Sequence, residues 1–274
     1  MRRQKRRGWA AALCASAAFI WLYAGFAVSG MRNRQALTIE VISPEAQVQA
    51  AAAIDGDAPT VLIYHTHTWE AYEMTETAQY TPTETWRTQD DAHNMVRVGE
   101  ALADELRALG FVVTHDKTDF EPPNLSASYK RSLAMLEARQ EAGETYDYIF
   151  DVHRDAYSGT AGGINSVAQG DASVAYVMML VGKGTGETGS GFDERPDWPQ
   201  NLELAQAITD AMNDELPGIA KAVKIKSGRF NQHVSTGALL IEVGNNRNTL
   251  EEALAACPVI AAGIAAVHEA RAQP

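Results

Sequence analysis

From Thr60 onward, short apolar runs alternate with stretches of helical length whose apolar residues recur on one face, and few folds accommodate that alternation. Runs with strand character are predicted at Thr60–Tyr64, Phe111–Thr114, Tyr146–Val152, Val174–Val181 and Gly237–Val243. Helices are predicted over Asn94–Leu109, Ser128–Ala142, Asn201–Leu216 and Thr249–Ala272. Gly110 and Gly143 stop the first two, Pro217-Gly218 stops the third, and the capping box Thr249-x-x-Glu252 opens the last. Pro258 is expected to interrupt or kink that last helix. Strands alternating with helices of this length predict an α/β domain with a mostly parallel sheet flanked by helices. In such sheets ligands bind beyond the carboxyl ends of the strands.

The N-terminus is different in kind. Arg2, Arg3, Lys5, Arg6 and Arg7 form a basic tail at residues 1–7, followed by an uncharged apolar run over residues 8–30. That run is long enough to cross a bilayer, and Trp9, Trp21 and Tyr23 lie toward its ends as interfacial anchors do. The excess of basic residues before the run predicts a cytoplasmic N-terminus and an extracytoplasmic remainder. The run exceeds a usual signal-peptide core, which favours a retained transmembrane anchor over a cleaved leader. Residues 31–59 read as an extracytoplasmic tether ending in the turn-forming Asp55-Gly56-Asp57-Ala58-Pro59. All but seven of the 23 Lys and Arg residues lie beyond residue 34, where they face all 35 acidic residues. A surface so acidic excludes nucleic acid as a partner class. The two cysteines, Cys14 and Cys257, stand far apart in the chain and offer no zinc-finger spacing.

Three polar clusters stand at predicted strand ends. The first is His65-Thr66-His67-Thr68-Trp69-Glu70. The second is Asp151-Val152-His153-Arg154-Asp155, and the third is Glu242 within an otherwise apolar strand. Imidazole and carboxylate are the ligands of catalytic zinc, which uses three protein ligands and leaves one position open. Each cluster also has a bland reading: a hydrogen-bonded structural histidine, a salt-bridged loop around Arg154, a glutamate that caps a helix. An acid inside an apolar strand needs a partner, however, because burying an unpaired charge is costly. If the segment after Tyr64 stays extended, His65 and His67 point to the same side, and either one or both face a metal. His233, within Arg229-Phe230-Asn231-Gln232-His233, suits substrate hydrogen bonding or a polar loop. His93 reads as helix-start chemistry, and His115 and His268 as surface residues.

The stretches VLIYHTHTWEAY, MVRVGEALADEL, DVHRDA, RFNQHVS and LLIEVGNNRNTLEEA, running from about Val61 to Ala256, resemble the stage II sporulation protein P family of endospore-forming bacteria. More distantly, the layout is similar to zinc-dependent N-acetylmuramoyl-L-alanine amidases. The resemblance implies a catalytic amidase-like domain over residues 60–274, in a membrane-anchored peptidoglycan hydrolase acting in forespore engulfment. It implies amidase and cross-link endopeptidase action, Zn2+ as cofactor, and stage II sporulation proteins D and M as partners. Carried over residue by residue, His67 and His153 match the ligand histidines, with His65 the alternative to His67, and Glu242 matches the catalytic glutamate. The wider amidases place a glutamate at the start of the first helix, where this chain has Asp90-Asp91-Ala92-His93-Asn94. Glu70 is the first candidate for the third ligand and Asp91 the second. Arg154 or His233 would stabilise the oxyanion. The competing readings are a zinc carboxypeptidase or endopeptidase on stem peptides, and an inactive wall-binding scaffold. A serine hydrolase is disfavoured because no GxSxG motif occurs.

Overall fold

A computed structural model describes residues 58–156, 165–185 and 194–272. The basic tail, the predicted anchor and nearly all of the tether lie outside the described residues. Among the described residues eight strands are present: β1 (Thr60–Tyr64), β2 (Val112–His115), β3 (Tyr148–Asp155), β4 (Ser166–Gln169), β5 (Ala172–Ala175), β6 (Val177–Gly182), β7 (Ala220–Lys226) and β8 (Ala238–Asn245). The helices are α1 (Met95–Ala108), α2 (Ser128–Glu141), α3 (Trp198–Glu215) and α4 (Leu250–Ala272). Six strands form one sheet in the order β2-β1-β3-β8-β6-β7, and β4 and β5 pair as a separate antiparallel hairpin.

The sheet is mixed. β2, β1, β3 and β8 run parallel, whereas β6 pairs antiparallel to β8 and carries β7 parallel to itself. Four of the five pairings in this sheet are parallel, as expected, and β6 with β8 is the antiparallel one. The predicted strand Val174–Val181 is broken at Tyr176 into β5 and β6, with β5 given to the hairpin. β7 was not anticipated, because its sequence, AKAVKIK, lacks an apolar run. It is an exposed edge strand, and Lys221, Lys224 and Lys226 guard its open side against further pairing.

Alternate residues of the central strands divide between the two faces, as the period of two requires. Val61 and Ile63, Phe150 and Val152, Ile241 and Val243, and Met179 and Val181 enter the main core, with Val98 and Leu102 of α1, Leu204 and Ile208 of α3, and Ile260 and Ile264 of α4. Each such side chain contributes roughly 2 kcal/mol by leaving water. The opposite face carries a smaller cluster of Leu62, Tyr64, Ile149 and Ala238 beneath Leu136 of α2. Asp151, His153 and Glu242 share the strand parity of that second face, toward the carboxyl ends of β3 and β8.

Capping explains where the helices begin. Asn94 caps α1 by accepting a bond from the Val96 N–H at 2.9 Å. The predicted box at α4 is reciprocal: Glu252 N–H donates to Thr249 Oγ1 (3.2 Å) and Thr249 N–H to Glu252 Oε2 (3.1 Å). Against expectation, α4 runs unbroken through Pro258, whose ring faces outward while Cys257, Val259 and Ile260 on the buried side hold the helix to the core. Although α4 is long and apolar enough to cross a membrane, its buried residues belong to this core.

Candidate active site

The three polar clusters meet because β1, β3 and β8 are parallel neighbours in the sheet. His153 lies directly opposite Glu242 in the β3–β8 ladder. Beyond that pair the register shifts, Asp155 facing Asn245, so β8 holds one residue more than β3. Gly244 absorbs the extra residue with φ of +64°, and a Cβ there would meet Asn248 Oδ1 at 2.8 Å, so only glycine fits.

After β1 the chain turns instead of staying extended, and His65 and His67 part company. His65 is fully buried, its Nδ1 2.8 Å from Val152 O and its Nε2 2.9 Å from His115 Nε2. Both ring nitrogens are thus engaged within the fold, and burial, then the neighbouring His115, pushes its pKa down to about 3. His65 therefore leaves neither ring nitrogen without a partner. The surface position expected of His115 is corrected: its side chain is buried against His65. His268 packs its ring against Phe111 and Tyr148. His93 bonds Asp90 at 2.8 Å ahead of α1, in keeping with a helix-start role.

His67 faces the cluster. Its ring meets that of His153 edge-on, centroids 5.4 Å apart, and that of Tyr129 at 5.6 Å. Its Nδ1 is buried and without a hydrogen bond among the described residues. Burial, then the charge of His153, lowers its pKa to about 4, so the ring is a neutral imidazole with a lone pair to give.

Glu70 approaches His153 from the other side, its Oε2 3.3 Å from His153 Nδ1. Several contacts hold it there: Ala71 N–H donates to Trp86 O (2.9 Å), the Tyr72 hydroxyl to Val243 O (2.7 Å), and the Arg154 N–H to Glu70 Oε2 (3.3 Å). Burial alone would raise the Glu70 carboxyl, but His153 and Arg154 outweigh it and bring the pKa to about 2. Asp91, the second candidate for a third ligand, is exposed and accepts from Asn94 Nδ2 at 3.2 Å at the start of α1; it takes no part in the cluster.

His153 is bracketed by two carboxylates. Its Nε2 lies 2.8 Å from Asp151 Oδ1, close enough for an ion pair but not aligned as a hydrogen bond. Burial opposes its charge, yet Asp151 and Glu70 raise its pKa well above the usual range. Asp151 is itself fixed by Thr66, which donates from its N–H (2.8 Å) and its hydroxyl (2.7 Å). A carboxylate that holds one nitrogen of a histidine while the other faces a ligand position is the usual support of a metal-binding imidazole.

Glu242 is nearly buried, and its Oε2 lacks a hydrogen bond among the described residues. Burial pushes its pKa up to about 7, against the pull of His153 and with the push of Glu70. Unpaired buried polar atoms are rare in native proteins, and here two of them, His67 Nδ1 and Glu242 Oε2, lie in the cluster around His153. Among the described residues no three His, Cys, Asp or Glu side chains already grip a common point. The donor types nonetheless suit a divalent cation of the zinc class, with a proton on His153 balancing the carboxylates in its stead.

Arg154 is engaged by the backbone of the segment that carries Glu70. Arg154 turns its guanidinium behind Glu70, donating to Ala71 O (3.1 Å) and Trp86 O (3.3 Å). It braces the segment that carries Glu70. His233 stands half-buried in a turn with its Nδ1 without a hydrogen bond among the described residues, and burial, then Arg229, lowers its pKa to about 4. Neighbouring Asn231 and Gln232 are structural: Asn231 donates to Tyr129 O (2.9 Å), and Gln232 bonds Leu180 O and Gly182 N–H, each at 2.8 Å. Tyr129, at the start of α2, was not singled out from the sequence, where it is one aromatic in an unremarkable helix.

The fold and site together define an α/β domain with a histidine–carboxylate cluster at the carboxyl ends of parallel strands. The family model of stage II sporulation protein P matches residues 29–265, and the chain belongs to that family. Stage II sporulation protein P of Bacillus subtilis (strain 168) is 27% identical over 221 residues, which cover 77% of this chain and 51% of that protein. The chain thus spans about half the length of that curated relative. Among solved structures, the chain is similar to an N-acetylmuramoyl-L-alanine amidase from Clostridium difficile 630 (16% identity, TM-score 0.44, covering 79% of this chain and 99% of that one). It is also similar to the catalytic domain of the N-acetylmuramoyl-L-alanine amidase CwlV from Bacillus (Paenibacillus) polymyxa (13% identity, TM-score 0.45, covering 78% and 98%).

Proposed function

We propose that this protein is a membrane-anchored, zinc-dependent peptidoglycan hydrolase of the N-acetylmuramoyl-L-alanine amidase type, acting in forespore engulfment. The observation that carries this reading is the convergence of His67, Glu70, His153 and Glu242 at one buried place, with unpaired atoms on His67 and Glu242. His67, Glu70 and His153 would hold zinc. Bound there, zinc supplies the Lewis acidity that activates water and polarises the scissile carbonyl.

Glu242 acts as general base and then general acid. Its carboxylate takes a proton from the attacking water as the water oxygen bonds to the lactyl carbonyl carbon. It then passes that proton to the nitrogen of L-alanine as the amide C–N bond breaks. A carboxyl raised by burial toward neutral pH is suited to both halves of that exchange. Asp151 keeps His153 oriented, and Arg154 keeps Glu70 in place. Cleavage of a peptide bond in a cross-link would use the same groups. Residues 8–30 would tether the domain to the membrane surface facing the wall, where stage II sporulation proteins D and M would be its partners.

The test is product analysis by mass spectrometry on purified peptidoglycan. Glu242→Gln is expected to lower product release by about 1,000-fold while leaving bound zinc intact, since it removes the proton carrier alone. His153→Ala is expected to lose the metal. Full activity in the first variant, or one-to-one zinc after dialysis in the second, would sink the assignment. Products cut only within stem peptides would point to an endopeptidase or carboxypeptidase.

A further inference from the structure

Acyl transfer through a tetrahedral intermediate needs a hydrogen-bond donor aimed where the carbonyl oxygen becomes negative. Arg154 directs its guanidinium at backbone carbonyls behind Glu70. A different group borders the two histidines. The Tyr129 ring lies nearly parallel to that of His153, 11° apart in plane with centroids at 6.5 Å, and edge-on to His67 at 5.6 Å. It therefore flanks both histidines at once. The charges that bear on it come from Asp151, Glu70 and Glu242, the acids of the site.

Tyr129 is held rigidly from behind. Its backbone carbonyl accepts from Asn231 Nδ2 at 2.9 Å, and Asn231 also donates to Ser132 Oγ at 3.0 Å. Ser132 Oγ is 2.9 Å from Thr66 Oγ1, which donates to Asp151 at 2.7 Å. One chain of hydrogen bonds thus ties the start of α2 to the carboxylate that orients His153. Asn231 and its neighbour Phe230 both adopt positive φ, 54° and 49°, a conformation that costs non-glycine residues energy and marks a position fixed by its surroundings. Phe230 closes the far side of the Tyr129 ring edge-on at 5.7 Å and is itself clamped by Gly182 and Gly228, where a Cβ would come within 2.8 Å of its ring. The hydroxyl donates to none of the surrounding side chains in the hydrogen bonds of the described residues, and the residue keeps part of its surface open.

We propose that Tyr129 is a catalytic residue whose hydroxyl hydrogen-bonds the oxygen of the scissile carbonyl as that carbon becomes tetrahedral. No proton is transferred: the phenol donates a hydrogen bond that strengthens as charge develops and weakens as the amine leaves. The assignment rests on the amidase reading above.

Tyr129→Phe separates this role from packing, since it deletes one oxygen and keeps the ring. In the full-length, zinc-loaded protein, kcat for muropeptide release is expected to fall by about 100-fold, as for loss of a single oxyanion donor. KM should stay within about twofold, with zinc content and melting temperature unchanged, because a bond formed only in the transition state lowers kcat alone. A variant with wild-type kcat would overturn the proposal and leave Tyr129 as a wall of the site. So would a change confined to KM, or loss of zinc or of thermal stability. Wild-type protein that releases no amidase product overturns the amidase reading itself, and this assignment with it.

Discussion

His65 and His67 stand two residues apart and are placed differently: His65 has both nitrogens bonded and His67 has a buried Nδ1 with no hydrogen bond among the described residues. His65 has spent both nitrogens inside the fold, so its neutrality is a condition of folding rather than of catalysis. Gly99 makes this possible: a Cβ there would meet His65 Nε2 at 2.4 Å and His115 Nε2 at 2.6 Å. Because the folded pKa of His65 is depressed to about 3, the unfolded chain takes up a proton that the folded chain refuses. The associated stability is complete above the unfolded value near 6.5 and is lost as pH falls from there toward 3. Urea midpoints should therefore decline on acidification, and His65→Gln should flatten that decline by up to about 1.4 kcal/mol per pH unit. An unchanged slope in the variant would remove His65 from this role. Which of two neighbouring histidines is buried was not readable from their spacing. The extended geometry assumed for the segment gives way to a turn, and turns follow from what Thr66 finds to bond, here Asp151 from another strand.

At the scale of the element, local chemistry was most legible where the chain closes bonds on itself. The α4 box at Thr249 and Glu252 lies within a few residues of sequence, so its partners are visible in the sequence. Pro258 shows the limit of that logic. Proline deprives the helix of one backbone bond, to the carbonyl of Leu254, yet α4 continues because its buried face is locked into the core. Its outward ring leaves room for a direct test. Pro258→Ala restores the donor and is expected to stabilise the protein by about 1–3 kcal/mol with activity unchanged, read from thermal melts and product release. A lower melting temperature would show that the ring is needed where it is. β7 and the break at Tyr176 escaped sequence reading for a related reason. An edge strand with lysines on its open side has no apolar run to announce it, and a continuous apolar run does not say which sheet each half will join.

In the whole molecule the site and the core are separate. The main core lies on the sheet face covered by α1, α3 and α4, whereas His153, Asp151 and Glu242 follow the opposite parity. Stripping metal with a chelator should therefore abolish product release while the far-UV circular dichroism stays that of a folded domain. Returning zinc at about 100 times its dissociation constant should raise stability by about 2.7 kcal/mol, since it binds only the folded state. Loss of helical signal on chelation would place the metal among the determinants of the fold instead. Taken alone, the sequence determined the α/β class, the helices and the capping box of α4, and the three strand-end clusters, because periodicity and capping act over a few residues. It also brought His67, Glu70, His153 and Glu242 forward as candidates, because polar groups in apolar strands need a reason. Tertiary structure alone decided that β6 runs against β8, that His65 turns inward, that Arg154 braces Glu70, and that Tyr129 lies beside the histidines. Those outcomes depend on contacts between residues some 60 to 100 positions apart in the chain, and no local pattern encodes which distant partner a side chain will meet.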